Sequence, residues 1–227
     1  MSIRTVAVFS AEDRFALHRY KADEGYQIGA GKKPIAAYLD IDDIIRVARE
    51  AQVDAIHPGY GFLSENPEFA EACAQAGLVF IGPRPEVMRM LGNKVSAREL
   101  AMSVGVPVVL ATGALPQDAD EAKRLVAAIG YPVMLKASWG GGGRGMRVVE
   151  SEAQLASSLE MARREALAAF GNDEIYVERL VRRARHVEVQ LLGDLHGNLV
   201  HLYERDCSVQ RRNQKVVERA PAPYLSE

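Results

Sequence analysis

The chain has 227 residues, of which 48% are hydrophobic and 26% are charged, and its formal net charge at pH 7 is -2. This composition is that of a globular protein, and the near-zero charge argues against nucleic acid as a partner. No stretch approaches the roughly 20 consecutive apolar residues of a membrane helix, and the first residues form no leader-like run, so we expect a cytoplasmic protein without a membrane partner.

The first ninety or so residues alternate short β-branched runs with amphipathic segments. Strands are predicted at residues 3–9, 53–57 and 78–81. Apolar residues at helical spacing predict a helix from Ile41, and Asn66-Pro67 predicts the start of another that ends at Gly77. This order is typical of a doubly wound parallel-sheet α/β domain. Because the chain opens directly in a strand, we expect the first strand-helix unit to be absent.

A second unit, of α+β type, is predicted from Gly92 onward. Capping residues and glycines predict its helices, and apolar runs predict its strands. A Gly-Asp turn at residues 193–198 indicates a hairpin after His186. The predicted helices are 93–104, 118–130 and 151–171, and the predicted strands are 107–110, 131–138, 146–149, 174–181 and 199–207.

A run of glycines, residues 140–145, lies between two predicted strands, with Lys136 on the incoming one. The run satisfies a G-x-G-x-x-G pattern, but a strand follows it, whereas a dinucleotide-binding fingerprint must lead into a helix. Glycines without Cβ atoms let backbone N–H groups approach phosphoryl oxygens closely. The pattern therefore predicts a phosphate-covering loop; the alternative is a mobile surface hairpin.

Basic residues crowd together at Arg211, Arg212 and Lys215, where the apolar residues of their strand give out. Such crowding is unfavourable unless an anion or carboxylates neutralise it. An anion site and a solvated basic edge strand both remain open. Cys73 and Cys207 stand far apart, without the spacing of a zinc site, so neither a metal nor a disulfide is expected at them.

Four strings together carry a resemblance that spans nearly the whole chain: HPGYGFLSEN, KASWGGGGRGMRVV, RHVEVQ and ERDCSVQRRNQKVVE. They resemble biotin carboxylase, a member of the ATP-grasp family. DRFALHRYKADE, EALAAFGN and Trp139 favour the pyruvate carboxylase type over the acetyl-CoA carboxylase type. The resemblance implies an N-terminal α/β domain with a connecting segment at 1–107, an ATP-grasp lid at 108–180, and the start of the ATP-grasp C-terminal part at 181–227.

The resemblance also implies the site residues. Lys215 matches a lysine that holds bicarbonate and is the candidate catalytic residue. Asn213 departs from many relatives, which carry histidine there, so its expected nucleotide contact is the least supported. The implied ATP-binding residues are Lys94, Lys136, Gly140, Gly141, Gly142, Gly143, Gly145, Glu178, Arg179, Leu180, Val181, His186, Gln210 and Asn213.

The resemblance implies that the complete enzyme uses ATP and Mg²⁺ to activate bicarbonate as carboxyphosphate and then carboxylates biotin on a carrier domain. The resemblance places the metal-binding acids after residue 227, so we expect no metal ligand in this chain and no activity from it alone. A homo-oligomer is expected for the complete enzyme. The alternatives are the biotin carboxylase of an acetyl- or propionyl-CoA carboxylase, and a non-catalytic nucleotide-binding module.

Overall fold

The computed structural model describes residues 2–140, 146–211 and 214–225. Five predicted site residues, Gly141, Gly142, Gly143, Gly145 and Asn213, lie outside the described residues. The chain divides into two compact units, Met1–Gly92 and Asn93–Glu227. The helices are α1 Leu17–Lys21, α2 Pro34–Tyr38, α3 Ile41–Glu50, α4 Pro67–Gln75, α5 Pro85–Gly92, α6 Lys94–Ser103, α7 Ala119–Ile129 and α8 Leu155–Phe170. The strands are β1 Val6–Phe9, β2 Glu24–Gln27, β3 Ala55–Ile56, β4 Val79–Phe80, β5 Ala111–Ala114, β6 Val133–Ala137, β7 Arg147–Val149, β8 Ile175–Arg179, β9 Val187–Gly193, β10 Leu199–Arg211 and β11 Gln214–Arg219.

The first unit is built from parallel strand pairs and the helices that pack on them. β1 pairs with β2, and β3 pairs with β4, both in parallel. Side-chain oxygens of Asp40 and Asn66 cap α3 and α4 by accepting the N–H groups of Asp43 and Phe69. The mixed α/β class and the parallel pairing are confirmed, while β2, whose sequence EGYQ lacks an apolar run, was not predicted.

The first unit also contains a cavity of about 570 Å³ between the edges of β1 and β3. Its lining includes Val6 and Val8 of β1, Ala55 of β3, and Ile44 and Val47 of α3. Polar residues such as Arg4, Asp54 and His57 also line it, but none of the residues predicted to bind ATP or bicarbonate does. Size alone therefore does not identify this cavity as the functional site.

The second unit contains a four-stranded antiparallel sheet in the order β5-β8-β6-β7. Helices α7 and α8 supply the apolar side chains that close its core, including the fully buried Val126 and Ala162 against Leu135 and Val177. The predicted strand at 107–110 was wrong: pairing with β8 starts at Ala111, opposite Glu178. Pro107 has no N–H to donate, and Val108 to Leu110 remain exposed.

The helix predicted at 151–171 starts later than expected, because the capping-box pattern of Ser151 with Gln154 does not form a cap. A short 3-10 turn at Glu152–Gln154 precedes α8, and Ser151 makes no side-chain cap. Instead, Gln154 Oε1 accepts the N–H of Glu150 at 3.0 Å. The last residue of α8 is Phe170, and Gly171, where the sequence predicted the helix end, is the C-cap in the left-handed conformation.

The predicted hairpin forms, and β11 extends it to a three-stranded sheet in the order β11-β10-β9. Asp194 Oδ1 accepts the N–H groups of His196 and Asn198 and so organises the turn. A bulge lies between His201 and Glu204, where Tyr203 has a positive φ of 60°. Of the helices in the described residues, none has the length and apolar character needed to cross a lipid bilayer.

Candidate functional site

Lys136 lies on β6, just before the glycine run, and its ammonium is held by an acid of the neighbouring strand. Lys136 Nζ lies 2.5 Å from Glu178 Oε2, and both side chains are largely shielded from solvent. Tyr176 donates its hydroxyl to the other oxygen, Glu178 Oε1, at 2.8 Å. Burial, followed by this hydrogen bond, raises the pKa of Tyr176 well above its ordinary value, so the tyrosine stays a donor. Glu178 thus holds the ammonium of Lys136, a group with three N–H donors, on the strand that enters the glycine run.

Lys94, the first residue of α6, meets the start of the glycine run. Its ammonium donates to the carbonyl oxygen of Gly140, and its backbone N–H donates to Ser138 O at 2.9 Å. Gly140 has a positive φ of 88°, and a Cβ added to it would lie 2.3 Å from the ring of Phe170. Only glycine fits this position without strain, so the base of the loop is fixed by conformation and by contact with α8.

Three of the predicted ATP-binding residues, Arg179, Leu180 and Val181, lie at and just after the end of β8. The backbone N–H of Arg179 donates to Leu110 O at 2.8 Å, and that of Leu180 donates to Pro132 O at 3.3 Å. Arg179 and Val181 are exposed. The same strand therefore carries Glu178 toward Lys136 and then continues into this exposed stretch.

His186 and Gln210 form a second pair of predicted residues that the fold brings together. Gln210 Nε2 lies 2.8 Å from His186 Nδ1 and donates to Cys207 O at 3.0 Å. The backbone N–H of His186 donates to Ser208 Oγ at 3.0 Å, which ties the start of β9 to β10. Both side chains are exposed, so their polar atoms can meet a ligand.

Lys215 belongs to an ion-pair cluster on the three-stranded sheet. Its ammonium donates to Glu188 Oε2, while Arg205 binds Glu188 Oε1. Glu218 lies at the edge of the cluster, with Oε2 3.5 Å from Arg205 Nε. The hydrogen bond from Lys215 is the largest cause that lowers the pKa of Glu188 to about 2, and the same bond raises the pKa of Lys215. Lys215 is therefore a charged, oriented cation, and within the described residues carboxylates neutralise this member of the basic run.

Glu188, Cys207 and Glu218 offer ligand atoms within 4.8 Å of one another, which raises the question of a metal. Mg²⁺ prefers oxygen ligands in octahedral geometry, whereas this set includes a buried thiol. Both carboxylates are already engaged by Lys215 and Arg205. The three residues do not fit a Mg²⁺ site, and we assign them to the ion-pair cluster.

Sequence reasoning did not single out Tyr176, Arg205 or Glu218, and it left Glu188 ambiguous. Tyr176 lies among the apolar residues of β8, and its position in the sequence gives no sign that its hydroxyl binds a neighbouring acid. The opposite charges of Glu188 and Arg205 on the two strands of the predicted hairpin were an available signal. The bulge at Tyr203 decides whether those two residues face each other, and the sequence does not specify it.

Comparison with known proteins follows the same division of the chain. Residues 1–88 match the family described as biotin carboxylase, N-terminal domain, and residues 93–227 match the family described as carbamoyl-phosphate synthase L chain, ATP binding domain. Pyruvate carboxylase of Bacillus subtilis is 56% identical over 226 residues, which is 100% of this chain and 20% of that protein. Human mitochondrial pyruvate carboxylase is 56% identical over 99% of this chain and 19% of that protein. The chain thus spans about a fifth of the length of these curated relatives.

Solved structures agree in fold. A Rhizobium etli pyruvate carboxylase structure with acetyl coenzyme A superposes with a TM-score of 0.91 at 66% identity, covering 99% of this chain and 20% of that one. The biotin carboxylase domain dimer of Hydrogenobacter thermophilus 2-oxoglutarate carboxylase, with MgADP, ADP and bicarbonate, gives 0.93 at 46% identity over 99% and 49% of the two chains. The chain therefore belongs to the biotin carboxylase family, joining a biotin carboxylase N-terminal domain to an ATP-binding domain of the ATP-grasp type, with close homology to pyruvate carboxylases.

Proposed function

We propose that this chain supplies the ATP-binding part of an enzyme that activates bicarbonate with ATP and carboxylates biotin. The observation that carries the proposal is the position of two lysines at the glycine run: Lys136 on the strand that enters it, and Lys94 in contact with Gly140. Two cations beside a glycine loop match the needs of nucleotide phosphates, which are multiply charged and require close backbone approach. The identity to pyruvate carboxylases supports the same reading.

In the proposed reaction, a bicarbonate oxygen attacks the γ-phosphorus of ATP, and the bond to the β,γ-bridging oxygen breaks, which gives carboxyphosphate and ADP. Lys94 and Lys136 neutralise charge on the phosphates, while Lys215 binds bicarbonate beside Glu188. Preorganised cations of this kind cost no reorganisation when charge develops in the transition state. The proposal gives the glycine run, Gly140 to Gly145, the role of covering the phosphates. It assigns nucleotide contacts to Glu178, Arg179, Leu180, Val181, His186, Gln210 and Asn213.

The wider assignment follows from the relatives. We propose residues 108–180 as the lid and 181–227 as the start of the C-terminal part of the ATP-grasp domain. Biotin on a carrier domain accepts the carboxyl group, Mg²⁺ accompanies ATP, and pyruvate is the final acceptor, favoured by the 56% identity to pyruvate carboxylases. The complete enzyme is proposed to be a homo-oligomer; a related biotin carboxylase domain is described as a dimer. We also propose a cytoplasmic location for this protein. Human and rat relatives are named as mitochondrial.

The test is bicarbonate-dependent ATP hydrolysis by the full-length polypeptide that carries this chain, measured as phosphate release with and without free biotin. We expect hydrolysis that depends on bicarbonate and is abolished by the paired change Lys94→Gln and Lys136→Gln. Formation of oxaloacetate from pyruvate separates the pyruvate type from the acyl-CoA types. ATP binding without bicarbonate-dependent hydrolysis would instead support a non-catalytic nucleotide-binding module.

A further inference from the structure

Asn93, the residue before Lys94, uses both ends of its side-chain amide. Its Oδ1 accepts the N–H groups of Val95 at 2.8 Å and Ser96 at 3.1 Å, which caps α6. Its Nδ2 donates to Glu174 Oε1 at 2.9 Å, across 81 residues of chain. Asn93 is buried, with 7% of its surface exposed. Capping uses only the oxygen, so the contact with Glu174 gives the buried amide N–H an acceptor and ties the helix start to a second segment.

The backbone around this contact joins three segments of the second unit. Lys94 N–H donates to Ser138 O at 2.9 Å, and Ser138 N–H donates to Glu174 O at 3.0 Å. Glu174 N–H donates to Asn172 Oδ1 at 2.8 Å, which fixes the turn before β8. The first residue of α6, the end of β6 and the entry to β8 are thus linked by hydrogen bonds at one place. Gly140, which accepts from the Lys94 ammonium, is two residues beyond Ser138.

We propose that Asn93 and Glu174 are positioning residues that hold Lys94 against the base of the glycine loop. The inference rests on the proposed function, because Lys94 is taken there as a contact of the nucleotide phosphates. The amide of Asn93 fixes the helix start through Oδ1 and anchors it to the β8 entry through Nδ2. The direction in which Lys94 leaves the helix is then set relative to Gly140 before a nucleotide arrives, which lowers the ordering cost of binding.

The test exploits the geometry of the pair. Asn93→Asp keeps the capping oxygen but turns a second carboxylate oxygen toward Glu174, so the hydrogen bond becomes a repulsion. In the double variant Asn93→Asp with Glu174→Gln, the amide now at position 174 can donate to the carboxylate now at position 93. The hydrogen bond is restored with its direction reversed. In the full-length polypeptide, we expect Asn93→Asp to weaken ATP binding by roughly tenfold, the scale of one lost hydrogen bond, and the double variant to recover most of that loss.

Two further variants separate positioning from stability, with ATP dissociation constants measured by calorimetry beside thermal melting. Asn66→Asp makes the same chemical change at the cap of α4, where the oxygen accepts the N–H of Phe69 at 2.8 Å, and should leave ATP binding unchanged. In a Lys94→Gln background, Asn93→Asp should cause less than a twofold further loss. An equal loss with and without Lys94, or a double variant as weak as Asn93→Asp alone, would overturn the proposal.

Failure of the inference differs from failure of the proposed function. If Lys94→Gln weakens ATP binding while Asn93→Asp leaves it unchanged, only the positioning role is overturned. If Lys94→Gln leaves ATP binding unchanged, the positioning role and the phosphate contact of Lys94 are both overturned. If the unaltered full-length polypeptide does not bind ATP, the proposed function itself is wrong.

Discussion

Lys136 and Glu178 face each other diagonally across the ladder between β6 and β8, with Lys136 Nζ 2.5 Å from Glu178 Oε2. Tyr176 and Glu178 are two residues apart on β8 and so share one face of the sheet, which is why the tyrosine hydroxyl reaches Glu178 Oε1. The acid and the phenol together orient the lysine. An oriented cation at the entry to a glycine loop pays less ordering entropy when it meets a phosphate.

Lys136→Gln in the full-length polypeptide should weaken ATP binding by about ten- to a hundredfold, because it removes one charge-assisted contact with the phosphates. Calorimetric titration with ATP measures the effect. Lys123→Gln is the matched control, since Lys123 lies on α7 and pairs only loosely, at 3.7 Å, with the exposed Asp120. If Lys136→Gln and Lys123→Gln bound ATP with equal affinity, Lys136 would have a structural role and no contact with ATP.

Lys215→Gln should impair a different step from Lys136→Gln, namely the use of bicarbonate and not the binding of ATP. It keeps most of the side-chain length and removes the charge, so ATP affinity should change little while bicarbonate-dependent turnover falls by roughly ten- to a thousandfold. ATPase assays across a bicarbonate series, beside ATP titrations, resolve the two effects. If Lys215→Gln abolished ATP binding and kept the bicarbonate dependence, the lysine would belong to the nucleotide site instead.

The Glu188 cluster predicts a defined acid sensitivity. The folded-state pKa of Glu188 is lowered from 4.5 to about 2, so its contribution to stability is fully present above pH 4.5 and is lost as the pH falls toward 2. Glu188→Gln should therefore reduce the free energy of unfolding at pH 6. The difference in this free energy between the variant and the unaltered chain should become smaller as the pH falls from 4.5 to 2. Urea unfolding across this range measures it.

A control for the acid sensitivity is Glu160→Gln, which changes an exposed acid on α8 whose nearest basic partner, Arg164, is 3.8 Å away. The contribution of such exposed pairs is small, so this difference in free energy should be small at every pH. If the difference in unfolding free energy between Glu188→Gln and the unaltered chain did not change with pH, the ion pairs of Glu188 with Lys215 and Arg205 would not stabilise the folded chain.

Gly140→Ala should destabilise the second unit by about 1–3 kcal/mol, because the residue combines a positive φ with a close approach to the ring of Phe170. Gly105→Ala is the matched control: Gly105 has a positive φ of 78° with open space around its Cβ position. It reports the conformational cost alone. Urea unfolding followed by the fluorescence of Trp139, the only tryptophan of the chain, gives both midpoints. Equal losses in the two variants would show that Phe170 adjusts without cost.

Several features of the fold, including the strand that carries Lys136, were predictable because they are local. The helix start after Asn66, the glycine end of α8 and the strand that carries Lys136 each depend on residues close together in sequence. Lys136 was singled out because it precedes a glycine run, and the structure places it directly on the strand that enters that run. Roles of individual residues in ATP and bicarbonate binding stay predictions.

Contacts between distant segments could not be derived in the same way. Asn93 and Glu174 meet where hydrogen bonds join the start of α6 to the end of β6 and the entry to β8, and neither carries a spacing signal for the other. The hydrogen bond from Tyr176 to Glu178 orients Lys136 only because of the register of β6 against β8. That register places Lys136 opposite Tyr176 and diagonal to Glu178.

The hairpin shows where the boundary lies between sequence and structure. The amino-acid order alone determined two strands and the turn between them, because turn residues and β-branched runs act locally. Continuing the register near that turn would put Glu204 opposite Glu188, acid against acid. The bulge at Tyr203 shifts the pairing by one residue and brings Arg205 to Glu188. Only the tertiary structure decided this, since a one-residue register change depends on packing and charge summed over the whole sheet.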